Sequence, residues 1–573
     1  MGLAATPADA AAQPGKAILA WLPSDTTVTE LAEAGLSPGV MSAGLGTVPA
    51  RQTYLDVGQG NRVFSSLYGT PFPELHGDRL RWWREVVERA ESAPADIVPG
   101  LLRSSLRAAG VPSRLFEVRR SPIDQLPQAA SYGLLIAIAS PTGQSEEPLP
   151  IGIAGPGFHG NLTTDSTRTS GYVLSTDVAP TILRHFGVPV PSAMSGQPIR
   201  VAGAVDPAAI ESLVDRMDVI SARRGPVIGL SVVIWLAVLL LVALLSRGRL
   251  ARAGVRIAGL AIVYLPLVLL LGAAFEPGEA AERLLVLLLS PLLAVLTIVA
   301  LRGYRALAVA SALTVLAYAV DVVGGSPLTS LSLLGPNPGL GVRFYGIGNE
   351  LEALLAVLVV AGTGAALTGF ARSASARRCA AAFAAVGLLA AFVFAAGRFG
   401  ADVGAAIVFP VGAVVAAAVV AGRGRRTAIL AVVAAPLTVL ALLALIDLVT
   451  GANAHLTRSV LDAGGLNDLG DVAQRRIQLS ARSFGRPVLL AFLPLVLAIV
   501  VAAYLRRDIL RSWLEGKAAM RAGLAGALAA TGIGTLANDS GALLLEIGAA
   551  YLLVFLGFAW AESPHKEVST AGS

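Results

Sequence analysis

The stretch LGPNPGLGVRFYGIGNELE, residues 334–352, lies between two long apolar runs of a 573-residue chain. Its prolines and glycines argue against a plain membrane-spanning helix, because proline removes a helix hydrogen bond and glycine weakens the helix. The stretch nevertheless carries polar side chains beside the apolar runs, namely Arg343, Asn349, Glu350 and Glu352. Ionisable groups near a membrane are costly and commonly functional. We therefore predict a functional polar break between membrane-embedded helices.

The composition of the chain is that of a membrane protein. Apolar residues make up 55% and charged residues 14%, and the mean hydropathy is +0.69. The isoelectric point is near 9.6, but most basic residues lie in short links between apolar runs. That pattern indicates orientation in a membrane rather than nucleic-acid binding. The single cysteine, Cys379, excludes an intrachain disulfide and a Cys-based zinc site. We expect no cofactor and no nucleic-acid partner.

The chain divides into a soluble part and a membrane part. Residues 1–16 lack the charged and apolar segments of a complete signal peptide, but Ala8-Asp9-Ala10 resembles the end of one. We therefore expect the true translation start to lie upstream. The predicted parts that follow are a soluble domain over 17–205, a linker helix over 206–226, a membrane domain over 227–561 and a cytoplasmic tail over 562–573.

The soluble part alternates apolar strands with amphipathic helices. Residues 17–23, 132–140 and 149–157 contain apolar runs bounded by turn formers, which predict buried strands. Residues 80–92 and 97–110 have apolar side chains at helical spacing. This alternation predicts an α/β domain with a mostly parallel sheet covered on both faces.

Residues 171–199, GYVLSTDVAPTILRHFGVPVPSAMSGQPI, resemble the C-terminal signature of the alkaline phosphatase superfamily. In the sulfatase and phosphodiesterase branches, an Asp-x-x-Pro-Thr-x-Leu helix precedes a Gly-x-Pro turn and a Met-x-Gly-x-Pro segment. Residues 46–60 resemble the nucleophile segment, which would place Thr47 at the nucleophile position. Residues 134–143 resemble the strand that ends in Ser-Asp-His-Gly. The resemblance implies an alkaline phosphatase-like fold.

The chain departs from this family at the metal-binding positions. Family members use metals held by Asp and His, usually two, for catalysis. Pro141-Thr142 replaces the Asp-His pair, Asp25 is displaced from the end of the first strand, and residues 144–150 lack the downstream His. We therefore predict a degenerate pseudoenzyme that binds no stoichiometric divalent metal and has lost hydrolysis.

Beyond residue 226 the apolar runs are long enough to cross about 30 Å of hydrocarbon, which takes about 20 residues each. They predict an all-α polytopic domain with eleven spans: 227–246, 255–275, 283–301, 305–324, 351–370, 379–397, 402–421, 427–448, 488–505, 520–537 and 541–560.

The links between these runs are alternately basic and acidic or mixed. The basic links carry Arg247, Arg249, Arg252, Arg256, Arg302, Arg305, Arg372, Arg377, Arg378, Arg423, Arg425, Arg426, Arg506, Arg507, Arg511, Lys517 and Arg521. The positive-inside rule places these links and the C-terminus in the cytoplasm of a multi-pass cell-membrane protein. An odd number of spans then places the soluble domain outside. Arg223 and Arg224 are a minor exception.

Three loops at the predicted outer face are rich in polar residues, 334–352, 397–402 and 537–541. We predict that five of their charged residues form a catalytic site: Glu350, Asp402, Arg398, Arg343 and Asp539. In this prediction Glu350 or Asp402 is the base toward an acceptor hydroxyl. Arg343 or Arg398 stabilises the leaving lipid phosphate. The alternative is that these residues cap helices and form interfacial ion pairs.

The longest predicted outer loop, 450–487, is basic. Its arginines are Arg458, Arg475, Arg476, Arg482 and Arg486. One interpretation is an amphipathic segment that lies among anionic headgroups. The other is that its guanidinium groups bind a lipid diphosphate. Either way, membrane lipids, including lipid-linked phosphates or diphosphates, are the expected partners.

Three functions remain open from the sequence. The first is an extracytoplasmic enzyme that transfers or ligates a lipid-linked precursor in the bacterial cell envelope. The second is a transporter or flippase, for which the Gly/Pro breaks near 335–348 are suggestive but no internal repeat is visible. The third is a non-catalytic scaffold or sensor with a pseudo-phosphatase domain.

Overall fold

The computed structural model divides the chain into two units, Met1–Val219 with Asn337–Phe344, and Ile220–Pro336 with Tyr345–Ser573. Residues described in it are 15–44, 48–62, 72–76, 79–93, 96–126, 133–145, 147–245, 248–450, 480, 483–485, 494, 496–498, 501–502 and 505–564. The predicted nucleophile position, Thr47, lies outside these residues.

The first unit is built on a six-stranded sheet. Its strands are β1 (Ala17–Leu22), β2 (Ser37–Ser42), β3 (Phe116–Arg120), β4 (Leu134–Ala139), β5 (Leu149–Ala154) and β6 (Tyr172–Leu174), in the spatial order β6-β2-β5-β4-β1-β3. Every residue of β1 and β4 is buried. The continuous apolar runs therefore form the centre of the sheet, as strands covered on both faces should.

The sheet is mixed rather than uniformly parallel. Strand β5 is antiparallel to both of its neighbours, β4 and β2, while the other three pairings are parallel. The link from β4 to β5 comprises only residues 140–148. Parallel neighbours need a crossover of about a dozen residues or more, so this short link forces β5 to run back.

Helices and short strand pairs complete the first unit. The helices are α1 (Val28–Glu33), α2 (Ala50–Gln59), α3 (Trp83–Ser92), α4 (Leu101–Ala108) and α5 (Val178–His185). The strand pairs are Asn161–Thr163 with Arg200–Ala202, Val48–Pro49 with Gln144–Ser145, and Glu74–His76 with Arg79–Arg81. Leu102, Leu183 and Ile182 pack with the strands in one apolar core.

The middle of the opening stretch belongs to the first unit. Asn337–Phe344, which we call the strap, is held by two side chains of that unit. The Tyr172 hydroxyl donates to Pro338 O at 3.0 Å. Arg62 Nη1 donates to Gly341 O at 2.9 Å, and its guanidinium lies 5.1 Å from the centre of the Phe344 ring. The strap is therefore an integral part of the α/β fold.

The segment 171–199 has a structural role that its local contacts explain. Asp177, three residues beyond the end of β6, accepts hydrogen bonds from Leu174 N at 2.9 Å and from Gln197 N at 2.8 Å. Thr181 Oγ1 donates to Asp177 O and accepts from Ile199 N. The Asp and Thr of the motif thus fasten the chain after α5 to the end of β6.

The second unit is helical. Its helices, with the long helix that enters it, are α6 (Pro207–Leu245), α7 (Arg249–Phe275), α8 (Glu279–Ala300), α9 (Tyr304–Val323), α10 (Pro327–Leu331), α11 (Asn349–Phe370), α12 (Ala376–Ala395), α13 (Ala405–Val420), α14 (Arg425–Thr450), α15 (Arg507–Trp513), α16 (Ala518–Ala537) and α17 (Gly541–Ala561). The predicted linker helix and the first predicted span are one continuous helix, α6.

Eight helices of the described part are long and apolar enough to cross a membrane: α6, α7, α8, α9, α11, α12, α14 and α17. Helix α13 is apolar but shorter, and α16 covers a tenth predicted segment. The segment 488–505 lies mostly outside the described residues. These helices are compatible with a multi-pass membrane protein, and the count of eleven spans stays a prediction.

Small residues bring the central helices into backbone contact. A Cβ atom at Gly526 of α16 would lie 2.3 Å from Gly412 O of α13. A Cβ atom at Gly364 of α11 would lie 2.8 Å from Ala519 O of α16. Such close approach is how helices associate where the surroundings supply no hydrophobic driving force. It fixes α11, α13 and α16 relative to one another.

Candidate functional site

Residues 345–352 of the first polar loop meet the other two polar loops within the second unit. Ile347 N donates to Gly400 O at 3.1 Å, which joins the loop before α11 to the loop between α12 and α13. Gly346 has φ +78° and donates its N–H to Ser326 Oγ at 2.9 Å. The backbone therefore makes a tight left-handed turn that only glycine adopts at low cost.

Two side-chain hydrogen bonds join α11 to the loop between α16 and α17. Asn349 Nδ2 donates to Asp539 Oδ1 at 3.0 Å, and Asn538 Nδ2 donates to Glu352 Oε2 at 2.6 Å. Asn349 and Glu352 are three residues apart and hence on one face of the helix. The Asn349–Asp539 pair is at the surface, whereas Glu352 in the Asn538–Glu352 pair is fully buried.

The third loop reaches the same buried carboxylate. Asp402 is 3% exposed and accepts a hydrogen bond from Gly404 N at 2.9 Å. A Cβ atom at Gly404 would lie 2.5 Å from a Glu352 carboxylate oxygen. One buried polar cluster is therefore formed by Glu352, Asn538 and the turn 402–404. Asn349 and Asp539 lie beside it at the surface.

Glu350 points to a different partner. Its Oε1 lies 3.4 Å from Arg224 Nη1, and Arg224 also donates to Gly335 O. The neighbouring Arg223 pairs with the fully buried Glu282 at 3.1 Å. The two arginines that break the charge asymmetry thus form ion pairs at the same helix ends as the loops.

The structure assembles part of the predicted catalytic set. Asp402 and Asp539 belong to the converging loops, and Arg398 is exposed on the loop between α12 and α13. Glu350 is engaged by Arg224, and Arg343 lies in the strap of the first unit. The catalytic roles of these five residues stay predictions.

Glu352 and Asn538 are functional candidates that the sequence did not single out, although Glu352 lies in the loop 334–352 and Asn538 in the loop 537–541. They are 186 positions apart, so no local pattern links them. The available signal was their place in the loops flanking apolar runs.

The long basic loop is described only at its end. Ser480 Oγ donates to Thr535 O at 2.6 Å near the end of α16, and Ser483 Oγ accepts from Ala542 N at 3.1 Å at the start of α17. The end of this loop therefore reaches the third polar loop. The arginines of this loop lie outside the described residues, so both interpretations of it, contact with anionic headgroups and lipid-diphosphate binding, stay predictions.

The first unit contains a separate buried polar cluster. Asp56 is fully buried and accepts from Gln52 and Gln59 at 2.6 and 3.0 Å. Burial raises the pKa of Asp56 well above its usual range, and the positive charge of Arg62 opposes this. Burial also raises the pKa of Asp177 to about 6. Both effects follow from loss of water around a carboxylate.

No metal cluster is evident in the part of the chain that the structure describes. No group of three or more His, Cys, Asp and Glu side chains is arranged there to hold an ion. The absence of a stoichiometric divalent metal from the first unit stays a prediction, which metal analysis of the purified protein can test.

The raised pKa of Asp177 predicts a pH dependence of stability. The folded state binds this proton more tightly than the unfolded state, whose pKa is near 3.8. The stabilising effect is therefore fully present below about pH 4 and is lost as pH rises toward 6, by about 3 kcal/mol. We expect the protection factors of amides in β6 and α5, taken relative to the intrinsic exchange rate at each pH, to fall over that range. A smaller fall is expected in Asp177→Asn, and an identical pH profile of protection in both proteins would contradict the prediction.

Comparison with family models, with curated proteins and with solved structures finds no match to this chain. The alkaline phosphatase resemblance therefore rests on the sequence segments alone and stays a prediction.

Proposed function

We propose that the three converging loops are the active site of a membrane enzyme that transfers a group from a lipid-linked phosphate or diphosphate to an acceptor hydroxyl. The observation that carries the proposal is a pair of hydrogen bonds between α11 and the loop 537–541, one from Asn349 to Asp539 and one from Asn538 to Glu352. Together with the loop between α12 and α13, these hydrogen bonds bring carboxylates and the exposed Arg398 to the ends of helices that could lie in a membrane.

Accessibility favours Asp539 as the base. Asp539 is exposed. Asn349 donates a hydrogen bond to its Oδ1, and this bond orients the whole carboxylate, including the second oxygen. Asp402 is buried against Gly404 N, and Glu350 is paired with Arg224. A general base must reach the proton that it removes, so Asp539 meets the geometric requirement best.

The proposed step is a single displacement. The acceptor oxygen forms a bond to the transferred carbon as the bond from that carbon to the lipid phosphate oxygen breaks. Asp539 takes the acceptor proton, and the lipid phosphate leaves as an anion. Arg398, exposed on the neighbouring loop, stabilises that anion through charge-assisted hydrogen bonds.

A transfer assay tests the proposal. The full-length protein in liposomes is given a radiolabelled sugar on a polyisoprenyl diphosphate and an envelope glycan extract as acceptor. We expect label to move to the glycan and free lipid diphosphate to appear in equal amount. No transfer from diphosphate- or monophosphate-linked donors, with protein shown to be folded, would reject this function and favour the scaffold hypothesis.

The orientation of the chain is a separate prediction, because the transfer site is proposed to be extracytoplasmic. In a Cys379→Ala background, Ala204→Cys and Arg423→Cys place single thiols at exposed positions. An impermeant maleimide should label the first on intact cells and the second only after permeabilisation. The reverse pattern would put the three loops in the cytoplasm.

The second candidate is a proton-coupled transporter or flippase. It is favoured by Glu352, a fully buried carboxylate in the first turn of an apolar helix with the neutral Asn538 as partner. Buried intramembrane carboxylates often carry protons in transporters. A dithionite assay with a fluorescent polyisoprenyl phosphate separates the two functions. Lipid movement that Glu352→Gln abolishes and Asp539→Asn leaves intact would establish the transporter.

A further inference from the structure

A cavity of about 300 Å³ lies among helix ends that do not belong to the three polar loops. It is bounded by the first turns of α7, the end of α8, the start of α9 and the end of α17. Its polar lining is Arg256, Arg302 and Glu562, and its apolar lining includes Ile298 and Phe558. One wall of the cavity is thus charged and the other is apolar.

Positive charge dominates this cavity. Arg256 Nη1 lies 3.0 Å from Glu562 Oε1, whereas Arg302 is exposed at the mouth. Two further cations flank the same corner, because Arg252 donates to Ser563 O and Lys517 donates to Glu562 O. The lining itself carries two arginines and one glutamate, a net charge of +1, and Arg252 and Lys517 add positive charge beside it. A single acidic side chain cannot neutralise this group.

The start of α9 adds to the positive field. Gly303 precedes the helix with φ +61°, and no side chain caps the first turn. A 20-residue helix that begins in this way directs backbone N–H groups and the positive end of its dipole at an anion, and the Glu562 carboxylate already lies there, 3.2 Å from the Cβ position of Gly303. This is an independent contribution, since it comes from the backbone rather than from the arginines.

We propose that this cavity binds the phosphate of an anionic phospholipid headgroup. Arginine forks match phosphate oxygens in geometry and charge. The apolar wall formed by Ile298, Leu301 and Phe558 suits the glycerol and the first acyl carbons. Basic pockets between membrane helices bind anionic headgroups in this manner. The site is distinct from the proposed transfer site and does not depend on it.

Native mass spectrometry of the full-length protein tests the proposal. The probes are phosphatidylglycerol, phosphatidylcholine and inorganic phosphate, each added to delipidated protein in neutral detergent. Arg256→Gln combined with Arg302→Gln should weaken phosphatidylglycerol binding at least about tenfold, because two charge-assisted hydrogen bonds are lost. The matched control combines Arg423→Gln with Arg426→Gln, two exposed arginines of another basic link that do not line the cavity. It should change binding less than about twofold.

Glu562→Gln keeps the test decisive if the double variant folds poorly. It removes the acidic partner of Arg256 and should strengthen phosphatidylglycerol binding about threefold, the size expected of a partly exposed ion pair. Equal loss in the pocket variant and its control would overturn the proposal. So would equal affinity for phosphatidylcholine, or full displacement of the lipid by an equal concentration of inorganic phosphate.

Discussion

Asp539→Asn should lower transfer from a lipid-linked donor by a factor of about 10² to 10⁴, the usual contribution of a general base. The amide keeps the volume of the carboxylate and can still accept the hydrogen bond from Asn349 through its oxygen. It cannot take the acceptor proton. The measurement is the rate of label transfer in liposomes, with the folded fraction checked by gel filtration.

The control for this variant is Glu279→Gln. Glu279 is a partly exposed carboxylate at the start of α8, paired with Arg283 and outside the three loops. Its loss should change the transfer rate less than about twofold. If Glu350→Gln abolishes transfer and Asp539→Asn does not, the general base is Glu350 rather than Asp539.

Arg398→Lys is a companion test of the leaving-group role. Lysine keeps the positive charge but cannot reproduce two parallel N–H donors. We expect transfer to fall at least about tenfold while donor binding weakens less, because the interaction strengthens as the phosphate leaves. Unchanged rates would remove Arg398 from the mechanism.

The helices and the buried strands could be predicted because each depends on a local pattern. Strands β1 and β4 are continuous apolar runs, and the long apolar segments map onto helices where the structure describes them. The direction of β5 was also within reach of the sequence. Nine residues between β4 and β5 are too few for a parallel crossover, a constraint that the alternation of strands and helices obscured.

The partners of the polar residues could not be predicted, because they depend on how distant helices pack. Glu350 and Glu352 are two positions apart, so they face different ways on α11. One meets Arg224 and the other Asn538. Arg343 shows the same limit in a loop. It is seven positions from Glu350 in sequence, but it belongs to the strap that completes the α/β unit.

Gly346→Ala should destabilise the second unit by about 2–5 kcal/mol and abolish function. An alanine at φ +78° is strained, and its Cβ atom would lie 1.9 Å from Gly400 O. Left-handed backbone costs a non-glycine residue about 1–2 kcal/mol, and overpacking adds about 1–3 kcal/mol. The obstructing atom is backbone, so no side chain can move aside. Thermal unfolding in detergent, followed by transfer activity, measures both effects.

The contrast with Gly532→Ala makes this prediction specific to the junction of the loops. Gly532 lies in α16, is exposed, and has no atom within 4 Å of the added Cβ position. Alanine there should leave the melting temperature unchanged or raise it, because alanine favours helix by about 1 kcal/mol. Since Gly346 holds Ile347 against Gly400, its replacement should also separate Asn349 from Asp539. A stable Gly346→Ala protein with full activity would show that the loops need not converge for function.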